Sequence, residues 1–157
     1  MTRFTPLTDI ASGIAKRIRD NAAGEFKLVT HAQATNGAQI WEMLQAMSSV
    51  PGCVVAVGSG DFGPDALKRT VRVMIFVVNS FARGSAAAAD GIWQKVETVQ
   101  NLFLPDRVGD DCFDYPEICG IEFSPVSWNP VESDEQVCAF CLVLEGTEFL
   151  QREKDQC

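Results

Sequence analysis

Hydrophobic positions along the chain change period several times, and each change marks an element. Near the start, Leu7, Ile10, Ala11, Ile14 and Ile18 recur at spacings of three and four. That is the stripe of an amphipathic helix. Thr5 is placed to cap it, Pro6 suits its first position, and Asp9 lies where the helix dipole favours a carboxylate. Lys16, Arg17 and Arg19 load the last turns, and Gly24 marks a stop. Glu25–His31 then alternates as a short strand. Beyond Asn36-Gly37, a second helix is expected from about Ala38 to Met47, with Ile40, Trp41, Met43, Leu44 and Met47 on one face. Cys53–Val57 reads as a short Val-rich strand, and Gly58–Lys68 as a polar connection punctuated by Gly and Pro.

The clearest strand is Arg69–Ser80. Val71, Val73, Ile75 and Val77 face one way, while Arg72, Met74, Phe76 and Val78 face the other. Past Arg72 it is apolar on both faces, as a central strand is. A third helix is expected from Gly84-Ser85 to about Phe103, with Ala89, Ile92, Trp93, Val96, Val99 and Phe103 as its stripe. Asp106–Glu117 follows as an acidic loop. Two strands close the chain, at about Ile118–Pro125 and Val137–Phe149, joined by a linker over Ser127–Gln136. The order α-β-α-β-β-α-β-β, with hairpin-length links, predicts an α+β fold: one mainly antiparallel sheet with helices on one face. Residues 1–150 are expected to form a single domain and residues 151–157 a charged tail, in keeping with a chain of 157 residues.

Composition narrows the function. Thirteen Lys and Arg against 21 Asp and Glu give a net charge of −8. That is a poor basis for nucleic-acid binding, whose affinity rests on cations at phosphates. The longest aliphatic or aromatic runs, such as Met74–Val78, are far shorter than the roughly 20 residues of a membrane helix. Met1-Thr2-Arg3-Phe4-Thr5-Pro6 lacks the apolar stretch of a secretion signal, so a cytoplasmic protein with reduced thiols is expected.

Each chemical motif has a blander reading that fits better. Gly58-Ser59-Gly60-Asp61-Phe62-Gly63 matches the dinucleotide-binding pattern and follows a strand. That chemistry needs a helix next, to hold the pyrophosphate on its N-terminus. Here Pro64 follows at once, and the segment to Arg69 suffices for a hairpin but not for a parallel crossover of about 10–12 residues. The six cysteines include Cys112, Cys119, Cys138 and Cys141. Zinc ribbons show two tight pairs where this chain has one, and Cys138 and Cys141 fall within one strand, where chelation by both requires a bulge. The single histidine, His31, rules out multi-His metal sites and has no nucleophile motif to serve. Asp110, Asp111, Asp114 and Glu117, with Glu132, Asp134 and Glu135, lack calcium-loop spacing and read as solvated. Trp41, Met43, Met47, Trp93 and Phe103 read as core. Catalytic residues, cofactors and metals are therefore not expected, and the residues themselves describe an α+β interaction or structural protein.

The whole pattern carries a resemblance. It comprises the N-terminal amphipathic helix, then Pro51-Gly52-Cys53-Val54-Val55-Ala56-Val57, then a polar loop. The Arg-led strand Arg69-Thr70-Val71-Arg72-Val73-Met74-Ile75-Phe76-Val77-Val78, the helix opened by Gly84, and a closing β-hairpin complete it. In this it resembles the phage tail terminator, or tail completion, proteins, particularly those of the Mu-like prophage family. The resemblance implies a homo-oligomeric ring, typically sixfold, that stops tail-tube polymerisation and offers the head–tail connector a docking surface. It implies assembly in the bacterial host cytoplasm and residence in the virion tail, with the tail tube protein and the connector as partners. A ring through which DNA passes has no use for phosphate-gripping cations, which suits the acidic balance. Apolar residues set in polar loops are then the candidate interface: Phe62, Val108, Phe113, Tyr115 and Trp128. The alternatives are a small metal- or nucleotide-binding enzyme and a cytoplasmic adaptor with an unrelated partner.

Overall fold

A computed structural model describes residues 3–22, 24–32, 39, 42–43, 51–80, 85–104, 118, 121–131 and 137–150. Helix α1 spans Leu7–Asn21 and strand β1 spans Leu28–Ala32. Strands β2 (Gly52–Phe62) and β3 (Lys68–Ser80) precede helix α2 (Ser85–Asn101), and β4 (Phe123–Val131) and β5 (Val137–Phe149) follow it. The five strands form one sheet in the order β1-β2-β3-β5-β4. Its ladders are antiparallel except for β1, which runs parallel to β2. The expected α+β class is what forms. The second expected helix, Ala38 to Met47, lies almost wholly outside the described residues, as do the acidic loop and the C-terminal tail.

The alternation in β3 sorts the sheet into two faces. Val71, Val73, Ile75 and Val77 join Cys53, Val55, Leu142 and Leu144 beneath both helices. Ile10, Ala11, Ile14 and Ile18 of α1 and Ile92, Val96 and Val99 of α2 close that layer. Helix α1 lies over β1 and β2, and α2 over β3 and β5. Arg17 of α1 ties the two helices together, donating from Nε to the Leu102 carbonyl at 3.1 Å while its guanidinium lies over the Phe103 ring. On the opposite face Val54, Ala56, Phe76, Val78 and Ala139 form a second buried cluster.

Several boundaries differ from those expected. Strand β2 does not stop at Val57. It continues through the glycine-rich segment to Phe62, with a register shift between Val57 and Gly60. A Cβ on Gly60 would lie 2.5 Å from the Thr70 carbonyl oxygen, so the close approach of β3 at this bulge requires glycine. The hairpin turn over Gly63–Leu67 includes Ala66 in the left-handed region, at φ 57°. Strand β4 begins at Phe123, later than Ile118, and runs past Pro125 through Trp128 and Pro130 to Val131, into residues expected as a linker. It is an edge strand, where a residue that cannot donate to a ladder is tolerated. Gly146 lets Phe123 reach the core, since a Cβ there would sit 2.7 Å from the ring.

Candidate interaction surface

The sheet is longer than the cover its helices provide. Beyond Val57 and Val73, the ends of β2, β3 and β5 continue as a three-stranded arm. Its ladders run Gly60–Phe62 against Arg69–Val71 and Lys68–Val71 against Gly146–Phe149. One face of the arm is polar. Arg72 bridges Glu145 and Asp61, each at 3.1 Å. The other face carries Phe62, Arg69 and Glu148 in one cross-strand row.

That row is clasped by the N-terminal segment. Arg69 Nη2 donates to Glu148 Oε1 at 2.8 Å and to the Thr5 carbonyl at 2.6 Å. The Thr5 amide donates to both Glu148 oxygens at 3.1 Å, and its hydroxyl donates to Oε2. The Thr5 hydroxyl is thus spent on Glu148 and makes no cap for α1, whose N-cap position is Pro6. A carboxylate acceptor within reach competes well against a helix amide, because charge-assisted hydrogen bonds are the stronger kind. The Phe4 ring lies 4.7 Å from the Arg69 guanidinium carbon and 5.9 Å from the Phe62 ring. Arg69 and Glu148 are only 13% and 15% exposed. Phe62 nonetheless remains 65% exposed, and Leu67 and Phe149 at the same end are also exposed.

A second apolar patch lies on the far edge of the sheet. A register shift at Val126 in β4 leaves that side chain exposed and turns Trp128 onto the helix-bearing face. There the Trp128 and Phe140 rings lie with centroids 6.3 Å apart, and Trp128 stays 61% exposed. Nothing in β4 is charged between Phe123 and Val131.

Of the five interface residues expected from sequence, the structure thus places two, both exposed and on the same face of the sheet. They do not form one site. Phe62 aligns through Arg69 with Glu148, and Trp128 with Leu142, so they are six positions apart along β5 and three strand spacings apart across the sheet. At about 3.3 Å per residue and 4.8 Å per strand, that is a separation of about 25 Å. Val108, Phe113 and Tyr115 lie outside the described residues. Phe4, Leu67 and Phe149 were not foreseen. Phe4 and Leu67 carry the same signal as Phe62, a large apolar side chain among polar neighbours. Trp93 corrects the expectation of core: it is 55% exposed on α2. It follows Ile92 by one residue, about 100° around the helix, and Ile92 takes the inward position.

The glycine-rich segment is a hairpin without the helix that a dinucleotide requires. Strand β5 passes Cys138 and Cys141 with no register shift against β3, so the bulge needed for joint chelation is absent from that ladder. Among the described residues no three His, Cys, Asp or Glu side chains group to hold a metal. Cys112 and Cys119 lie outside those residues. Burial raises the Cys141 thiol pKa to about 11 and the Cys53 thiol further still, which keeps both protonated and unreactive. No described helix is long and apolar enough to cross a membrane. No protein-family model matches the chain, and no curated protein matches it.

Proposed function

We propose that this protein is a ring-forming structural protein of the phage tail terminator kind, which acts by docking and not by catalysis. One observation carries the reading. A single protomer presents two separate exposed apolar patches, at Phe62 on the arm and at Trp128 on the opposite edge strand, on one face of one sheet. A head-to-tail ring needs two different surfaces per protomer, each meeting the other kind on its neighbour. A twofold dimer would need only one self-complementary patch. The acidic balance supports a channel that does not hold DNA, and no residue is assigned a catalytic, cofactor or metal role. In this reading the ring caps the tail tube, and its outer surface receives the head–tail connector, during assembly in the host cytoplasm and later in the virion tail.

Light scattering over a concentration series, with negative-stain images of the most concentrated sample, tests the reading. A closed ring with a central hole, expected to be sixfold, is the supporting result. Phe62→Ser and Trp128→Ser should each return the ring to monomer, because each removes one half of the same repeated contact. A protein that stays monomeric at every concentration and also fails to bind purified tail tubes ends the reading.

A further inference from the structure

The N-terminal segment occupies the arm in an unusual way. Its two contact residues, Phe4 and Thr5, hold the row of Phe62, Arg69 and Glu148, yet the arm beneath is built without them by the β2–β3 and β3–β5 ladders. The occupant also fits imperfectly. Arg69 Nη2 is satisfied twice, but Arg69 Nε is buried with no hydrogen-bond partner. A buried donor of a charged group left unpaired is a standing cost that another chain, bringing an acceptor, would remove. Pro6, at φ −55° and ψ 137°, is extended rather than helical, so the segment joins α1 through a non-helical joint.

We infer that residues 3–6 form an autoinhibitory strap that covers one side of Phe62 and Arg69, and that its release frees the arm to dock on a second copy of this chain. This rests on the ring reading above, whose arm surface it regulates. The strap sets the fraction of protomers competent to assemble, and the concentration at which rings form scales inversely with that fraction. Local opening of this kind needs no loss of the ladders, since segments outside the ladders can open far below the global unfolding free energy.

Two full-length variants test the strap from different sides. Phe4→Ala removes the ring over Arg69, and Glu148→Gln weakens the grip on Thr5 while leaving Phe4 in place. Circular dichroism first establishes that both fold. Hydrogen exchange at the Thr5 amide should be faster than at Val71 or Val73 in the parent protein, and about tenfold faster again in both variants. By light scattering, both should assemble at about one-tenth of the parent's concentration, in proportion to the larger competent fraction. Adding Phe62→Ser to the Glu148→Gln chain should abolish that gain. Assembly unchanged or weakened in both variants overturns the inference, as does a Thr5 amide as protected as the β3 ladder. If exchange quickens but neither parent nor variant assembles, the strap does not control self-association. The ring reading is then decided separately, by whether the parent binds tail tubes.

Discussion

The two ends of the same three strands do different work. At the base, Cys53, Val55, Ile75, Val77 and Leu142 are fully buried under the helices, and Val54, Phe76 and Val78 are buried on the opposite face. In the arm the ladders continue with unbroken hydrogen bonding between β3 and β5, but the side chains become Thr70, Arg72, Thr147 and Glu148, and the exposed groups include Phe62 and Phe149. Backbone pairing is common to both ends, so it cannot be what distinguishes them. Side-chain burial is. Stability is therefore concentrated at the base, while the arm adds few groups to the core, chiefly Val71, and leaves Phe62 and Phe149 at the surface.

The sharpest way to break this comparison is a matched pair of truncations on β3. Ile75→Ala removes a side chain of zero exposure and should cost about 2–5 kcal/mol in urea unfolding. Thr70→Ala, five residues along the same strand, removes an exposed-face hydroxyl and should stay within about 0.5 kcal/mol. Equal costs would mean that the arm is part of the core and would sink the division into two ends.

That division was partly legible before any coordinates. The switch within β3 from Arg72 to unbroken apolar residues marks where the base begins, and period-two alternation fixed its two faces correctly. Val137–Phe149 was also found at its observed bounds. The arm was not legible because Gly58 to Phe62 looks like a loop: glycine at Gly60 serves a close strand approach, and composition does not distinguish that use from a turn. Strand β4 was ended too early, at Pro125, because Pro130 argues against a strand unless it is known to be an edge. Phe62 and Trp128 were identified as apolar residues in polar surroundings, but their placement on one face of opposite edges depends on ladder register and two bulges, which are long-range properties. The clasp was missed altogether, since Thr5 and Glu148 are 143 residues apart and Thr5 had a plausible local role as a helix cap.

A gentler probe works on the base through its thiols. Burial disfavours the thiolates of Cys53 and Cys141, raising Cys141 from 9.0 to about 11 and Cys53 in the same direction. Above pH 9 the unfolded chain releases these protons while the folded protein keeps them. Stability is thus fully present below pH 9 and falls as pH rises towards 11, by about 1.4 kcal/mol per pH unit for each thiol. Denaturation midpoints measured from pH 8 to 11 should fall less steeply in Cys53→Ala and Cys141→Ala than in the parent. Parallel slopes would show that these sites are open to water, contrary to a base that shields its thiols.

The smallest expected effect on stability is the most informative about function. Trp128→Ser removes a large side chain that is 61% exposed and touches Phe140 only at a tilt, so unfolding should change by about 0.5 kcal/mol or less. Phe62→Ser should behave similarly, because that side chain is 65% exposed. A tryptophan that contributes so little to its own fold, on an edge strand without charges, is otherwise an aggregation hazard that proteins tend to remove. Its retention makes sense if a partner covers it. Chemical denaturation run beside light scattering on the same samples separates the two roles. Near-parental stability with loss of the assembled species places Trp128 in an interface. A loss of 2 kcal/mol or more would instead place its ring against its own domain in solution, and the second surface of the proposed ring would be gone.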